Sequence, residues 1–231
     1  MKASPERGIG YILIDLDNTI YLASSGLLQE MDRRITEYVM KVLSIGLIEA
    51  GQRRVLYCRK HGTTLKGLLE TGKVDDPEEY LRLVHPMDVE KYLPKDPVLV
   101  RNLTSIPLPL SILTNSPREH AERVLKHLEI SGFFQRIFDL RYNRFQGKPI
   151  VSVYHRVLEA IEKKPHEVLF IDDHVEYLRP FQELGGEVLL VDEGREDEGQ
   201  EENGVPSIQR LTQLADYLEE RYGVALVSRQ P

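Results

Sequence analysis

Short apolar runs that end in polar residues recur along the chain. They are Tyr11-Ile12-Leu13-Ile14 before Asp15, Leu110-Ser111-Ile112-Leu113 before Thr114, and Val168-Leu169-Phe170-Ile171 before Asp172. A fourth, Glu187-Val188-Leu189-Leu190-Val191, follows Gly185-Gly186, and Arg136-Ile137-Phe138-Asp139 offers a shorter fifth. Continuous apolar runs of this length suit strands covered on both faces, as in a parallel sheet. Helical spacing fills the intervals. Residues 117–130 place Ala121, Val124, Leu125 and Leu128 on one face, with Ser116 as the predicted N-cap and Pro117 as the first helical residue. Residues 150–162 repeat the pattern with Val153, Val157, Leu158 and Ile161, and 175–184 run into a glycine stop. A last helix is predicted over 207–222, capped by Ser207. Alternating strands and helices predict an α/β fold with a doubly wound parallel sheet and right-handed crossovers.

Residues 24–94 break the alternation. Met31, Ile35, Tyr38, Val39, Val42 and Ile45 have helical spacing, and further helices are predicted at 48–59, 63–70 and 77–84, with no strand period among them. This predicts an all-helical insertion, residues 24–94, in an α/β core made of residues 1–23 and 95–231.

Composition narrows the function classes. The 231 residues are 41% hydrophobic and 29% charged, a balance suited to a packed core. No apolar run approaches the roughly 18 residues of a membrane span, and the first residues carry no secretory pattern. One cysteine, Cys58, excludes an internal disulfide framework and a cysteine zinc cluster. These features lead us to expect a cytoplasmic protein. The net charge is −7, and residues 192–202 carry most of it in one acidic, glycine-containing stretch that reads as a solvated loop. The remainder lacks the basic excess of a nucleic-acid binder. Neither a nucleic-acid polymer nor a membrane is the expected partner.

The polar clusters lie where parallel strands end, and ligands of such sheets bind beyond those ends. They are Asp15-Leu16-Asp17-Asn18-Thr19, Thr114-Asn115-Ser116 and Asp172-Asp173, with Lys148 in the loop Gly147-Lys148-Pro149. Converging carboxylates repel one another, and an oxygen-only ligand set answers that repulsion with Mg2+. The cation, Lys148, Thr114 and the Asn115 backbone N–H together suit a transferring phosphoryl group. Asp15 is the candidate nucleophile and Asp17 the candidate acid/base. Alone, Asp-x-Asp-x-Thr would suit a turn and Thr114-Asn115-Ser116 a helix cap; their order at strand ends favours chemistry.

In that order these motifs resemble the haloacid dehalogenase superfamily, over nearly the whole chain. The resemblance implies a magnesium-dependent phosphomonoester hydrolase with an aspartyl-phosphate intermediate and a small phosphorylated substrate. The metal would be held by Asp15, the Asp17 backbone carbonyl and Asp173, with Asp172 supporting Lys148 or a metal-bound water. Asn18, Thr114, Asn115 and Lys148 would face the phosphate. The stretch from Arg59 to Leu68, with Ile14 to Tyr21 and Phe170 to His174, is similar to the pyrimidine 5′-nucleotidase branch. That branch implies a helical cap, a nucleoside monophosphate substrate, and Lys60, Thr63 and Thr64 near it. Sugar-phosphate hydrolysis is the alternative within enzymes, and a catalytically weakened binding or regulatory protein the alternative outside them. Relatives usually carry asparagine or aspartate where this chain has Tyr177, so its metal shell is expected to lack one support. His61 and His174 are expected to be partly exposed, Cys58 to be a small core residue, and Phe133-Phe134 to be core. The pairs Arg33-Arg34 and Arg53-Arg54 are expected on solvated helix faces.

Overall fold

A computed structural model describes residues 8–194 and 204–227. Six parallel strands form one sheet in the order β3-β2-β1-β4-β5-β6. They are β1 (Tyr11–Ile14), β2 (Leu110–Leu113), β3 (Phe134–Phe138), β4 (Val168–Asp172), β5 (Glu187–Val191) and β6 (Ser207–Ile208). β1, β2 and β4 are buried at every position, which is why they read as unbroken apolar runs. The chain builds outward from β1 in both directions, so the crevice between β1 and β4 is the topological switch point.

One face of the sheet is covered by α5 (Pro97–Ser105), α6 (Arg118–His127) and α9 (Leu214–Tyr222), through a core that includes Ile12, Ile14, Leu103, Val124 and Leu218. The other is covered by α7 (Val151–Ala160) and α8 (Val175–Glu183), through Leu13, Tyr154, Phe170 and Phe181. Between β1 and α5 the chain forms α1 (Leu27–Leu43), α2 (Leu47–His61), α3 (Thr64–Glu70) and α4 (Pro77–Val84). These four share their own cluster, with Tyr38, Val39, Tyr57, Leu68, Tyr80 and Val84 buried.

Two expectations need correction, and one helix is added. Ser116 does not cap α6: Pro117 takes that place with extended backbone, and the Ser116 hydroxyl is turned to Asp17 instead. Residues 207–222 are not one helix. Ser207 and Ile208 add a short strand to β5, a 3-10 turn follows at Leu211–Gln213, and only then does α9 begin. The helix α5 escaped the periodicity argument altogether. Its start is nonetheless well specified, because the Asp96 carboxylate accepts from the N–H groups of Val98 and Leu99, with Pro97 opening the first turn. Phe133 and Phe134 are half-buried against the core, as expected. Most of the acidic stretch lies outside the described residues. No helix among the described residues is long and apolar enough to cross a membrane.

Candidate active site

Asp15 sits one residue past β1, and its backbone N–H donates to the Ile171 carbonyl at 2.8 Å. That bond ties the end of β1 to β4 and sets Asp15 beside Asp172. Lys148 Nζ lies between them, 2.6 Å from Asp15 Oδ1 and 2.5 Å from Asp172 Oδ2. All three are buried; Lys148 is only 1% exposed. The Asn115 side chain holds the lysine loop at both backbone atoms, accepting from Lys148 N at 2.8 Å and donating to Lys148 O at 3.1 Å.

Burial raises the Asp15 pKa well above the usual carboxylate value; Lys148 opposes this, while Asp172, Asp173 and Asp17 add to it. For Lys148, burial alone would favour loss of the proton, but Asp15 and Asp172 outweigh it and hold the ammonium charged. Asp172 has no oxygen to spare. Its Oδ2 accepts from Lys148 and its Oδ1 from the His174 N–H at 2.9 Å. Asp173 is the more open of the pair and lies 2.9 Å from His174 Nδ1. That contact lifts the His174 pKa to about 9, against the effect of burial.

Asp17 has a different setting. Its Oδ1 accepts from the Tyr21 hydroxyl at 2.5 Å and lies 2.8 Å from His120 Nε2; its Oδ2 accepts from the Ser116 hydroxyl at 2.6 Å. Burial would raise its pKa, but His120, Ser116 and Tyr21 together hold it well below the usual range. His120 is fully buried, and His85 packs beside it with ring centroids 5.1 Å apart. Sequence reading missed Tyr21, His85 and His120. The available signal was spacing: Tyr21 is four residues after Asp17, and His120 is four after Ser116, so each falls one turn from a motif residue.

These groups open into one cavity of about 240 Å³. Asp15, Asp17, Thr114, Asn115, Lys148 and Asp173 line its sheet side. Thr63 and Thr64 reach it from the inserted helices, and Cys58 lines it too, more exposed than a core residue. Thr63 caps α3, accepting from Lys66 N at 3.1 Å. Lys60 does not reach the cavity: it is exposed on the outside of α2. It lies two residues beyond Cys58, which turns it to nearly the opposite side of the helix. The expectation for Lys60 is therefore corrected. His61 stays on α2, edge-on to Tyr57.

Two glycines mark one close contact between the inserted helices and the lysine loop. A Cβ on Gly62, whose φ is +85°, would lie 2.8 Å from Gly147 O, and one on Gly147 would lie 2.5 Å from the Thr63 methyl. Neither position has room for a side chain, so the threonine turn and the lysine loop touch backbone to backbone.

Tyr177 fills its position in an unexpected way. Its ring stacks on His174 at 4.9 Å, and its centroid is 5.3 Å from Lys148 Nζ. It thus covers the lysine as a cation–π neighbour, a contact that asparagine would not make. The arginine pairs are tied up on the insertion. Arg33 and Arg34 pair with Glu30, Arg53 with Glu49, and Arg54 with Asp32. Arg54 is the exception to a purely solvated face, because it also lines the cavity.

Residues 9–185 match the family model of haloacid dehalogenase-like hydrolases. The chain belongs to that family. A haloacid dehalogenase-like hydrolase is expected to carry its site beyond β1, β2 and β4, and that is where the cavity lies. Phosphate metabolism protein 8 of Saccharomyces cerevisiae is 26% identical over 195 residues, which span 78% of this hydrolase but only 61% of the yeast protein. Among solved structures, a HAD phosphatase from Thermococcus onnurineus aligns with a TM-score of 0.60 at 16% identity, over 95% of this chain and all of that one. L-2-haloacid dehalogenase from Xanthobacter autotrophicus aligns with a TM-score of 0.58 at 16% identity, over 92% and 99% of the two chains. The fold is thus shared by enzymes with two chemistries, and the side chains in the cavity must decide between them.

Proposed function

We propose that this hydrolase cleaves phosphomonoesters through an aspartyl-phosphate, with nucleoside monophosphates as its substrate class. The observation that carries this reading is that Asp15, Asp17, Thr114, Lys148 and Asp173 line a single cavity. A dehalogenase needs the nucleophile but no acid for an alkoxide leaving group; Asp17 supplies that acid.

The donor set fits a magnesium ion. Four carboxylates, Asp15, Asp17, Asp172 and Asp173, outnumber the cations Lys148 and His174, and Asp172, Asp173 and Asp17 add to the rise in the Asp15 pKa that burial causes. Asp15, the Asp17 carbonyl and Asp173 would hold the ion, since Asp172 is committed to Lys148 and the His174 N–H. When bound, the ion offsets carboxylate repulsion and the charge of the phosphate oxygens.

The steps then follow from the side chains. An Asp15 oxygen attacks phosphorus as the ester oxygen departs. Asp17, once released from Tyr21, Ser116 and His120, takes up a proton from solvent and passes it to that oxygen. It later takes a proton from the water that attacks phosphorus, freeing phosphate and restoring Asp15. The Lys148 ammonium and the Thr114 hydroxyl hold the transferring group. The inserted helices, residues 24–94, act as a cap over the core formed by residues 1–23 and 95–231. Thr63 and Thr64 bring them to the substrate, and the tight Gly62–Gly147 contact is the closed seam. Leu28, Met31, Ile35 and Tyr80 give the far wall an apolar surface for a base, with Arg54 and Asp32 for its polar edge.

The test is phosphate release from nucleoside monophosphates and sugar phosphates, with magnesium or chelator. Asp15→Asn serves as the blank. Release that needs magnesium and Asp15, and is fastest with nucleotides, supports the reading. Folded protein that releases no phosphate from any substrate overturns it in favour of a binding role.

A further inference from the structure

Ten large hydrophobic side chains are exposed among the described residues, and four of them lie on α2: Leu47 (65%), Ile48 (81%), Val55 (52%) and Leu56 (52%). With 3.6 residues per turn, these four share one half of the helix circumference with Gly51 and Gln52. A shallow groove runs along this face, lined by Gly46, Leu47, Ile48, Glu49, Gln52, Arg53 and Leu56. The opposite half carries the buried residues Ala50 and Tyr57, so α2 has an inner apolar face that the fold uses and an outer one that it leaves open.

Gly51 adds a second, independent observation. It lies in the middle of the helix, has no positive φ, and a Cβ built on it would meet nothing within 4 Å. Nothing among the described residues calls for glycine here, although glycine is a poor residue for a helix interior. Close approach of another backbone would call for it.

The order of residues identifies the occupant. From 47 to 56 the helix reads Leu-Ile-Glu-Ala-Gly-Gln-Arg-Arg-Val-Leu. Read in reverse, the pattern of apolar pairs is the same. In an antiparallel pairing, Leu47 is level with Leu56, Ile48 with Val55, and Gly51 with Gln52. A two-fold axis also puts the same edge of both helices on the same side of the interface. Glu49 and Arg53 share one edge and pair with each other at 3.4 Å within the helix. Across the axis, Glu49 of one copy comes within one residue of the level of Arg53 of the other and on the same edge, about 1.5 Å apart along the helix, so acid meets base twice. A surface that complements its own reversal in shape and charge fits a second copy of this chain.

We propose that the hydrolase forms a two-fold dimer through antiparallel packing of α2 on α2, with the axis between Gly51 and Gln52. One helix on each side makes a small interface, so the dimer is concentration-dependent rather than obligate. It stands on the outer side of the insertion and does not depend on the reaction assigned to the cavity.

Sedimentation equilibrium over a range of protein concentrations tests it. The expected result is a monomer–dimer equilibrium. Ile48→Glu places two charges in the contact and raises the dissociation constant by at least about a hundredfold. Gly51→Leu weakens the dimer yet raises the melting temperature of the monomer, the reverse of what a damaged fold would give. Glu49→Arg and Arg53→Glu each raise the constant by about threefold to tenfold, and the double reversal restores it. Restoration is specific to the antiparallel register. A monomer up to ~0.5 mM, where even millimolar association would be visible, overturns the proposal. So does a dimer indifferent to Ile48→Glu and Gly51→Leu. Charge reversals that add rather than cancel overturn the register.

Discussion

Lys148 and Asp15 form a buried ion pair at 2.6 Å, and the same ammonium bridges to Asp172 on the neighbouring strand. One lysine therefore holds the ends of β1 and β4 together electrostatically. Removing it leaves two buried carboxylates without a counter-charge. Lys148→Ala is expected to destabilise the fold by about 3–5 kcal/mol, because breaking a buried pair costs more than the pair itself contributes. Urea unfolding with and without magnesium checks this. Magnesium should recover part of the loss if Asp15 helps to bind it. Stability equal to wild type would mean that water already screens these carboxylates.

In the proposed mechanism Asp17 is the residue that separates ester hydrolysis from dehalogenation. A general acid matters most when the leaving oxygen is basic. Asp17→Asn is therefore expected to slow release from a nucleoside monophosphate by about 10²–10⁴-fold. Release from p-nitrophenyl phosphate, whose leaving group needs little protonation, should fall far less. Equal losses on both substrates would show that Asp17 acts by position or charge alone.

The three donors around Asp17 give a related expectation. Tyr21→Phe removes the 2.5 Å contact and keeps the ring. A hydrogen bond to a charged acceptor is worth about 1.5–3 kcal/mol, and the fold should lose stability of that order. Turnover of poor leaving groups should change more than the Michaelis constant, because Tyr21 touches Asp17 and does not line the cavity. A pure change in substrate affinity would place Tyr21 in the binding wall instead.

Tyr177 separates two accounts of the same position. If its ring matters by covering Lys148, Tyr177→Phe keeps activity, and Tyr177→Asn loses the stack on His174 and the cation–π contact. If the position is a weakened metal support, Tyr177→Asn raises magnesium affinity. Titration of magnesium by calorimetry on both variants distinguishes them. The geometry favours the first outcome, with a loss of about 0.5–2 kcal/mol in stability for Tyr177→Asn.

How far the sequence could be read depended on whether a residue's partner was local. Asp15, Thr114 and Asp172 were legible because strands buried on both faces show as apolar runs, and the polar residues closing those runs must sit at the strand ends. The inserted helices were legible because Met31, Tyr38 and Val39 keep a helical period. Ser116 was misread because a serine before proline is a good cap by local rules, while its actual partner, Asp17, is 99 residues away. Lys60 was misread because a motif gives proximity along the chain, not the side of the helix. His120 and His85 stayed silent: a buried histidine on an amphipathic helix, or just past the end of one, has the same pattern as any other core position. Ser207 is a strand residue only because β5 offers it a free edge, which no local pattern reveals.

His85 gives the pH dependence. Its Nδ1 lies 2.8 Å from the Leu81 carbonyl, which a neutral ring satisfies by donating. Burial, with His120 beside it, pushes its pKa down to about 3. The unfolded chain takes up a proton below about pH 6.5, whereas the folded one resists it until far lower. Stability from this group is therefore complete above pH 6.5 and falls as pH drops toward 3, by up to about 1.4 kcal/mol per pH unit. His174, whose pKa is raised to about 9, acts in the opposite window: its stability is complete below pH 6.5 and is lost as pH rises through 9. Acidification from pH 6.5 to 5 thus isolates His85 from His174 and precedes protonation of most carboxylates. Over that interval wild type should lose about 2 kcal/mol by urea unfolding. His85→Gln, which can still donate to Leu81 but cannot take up a proton, should lose markedly less. Parallel curves for the two proteins would mean that His85 is solvated well enough to protonate in the folded state, and that acid lability comes from elsewhere.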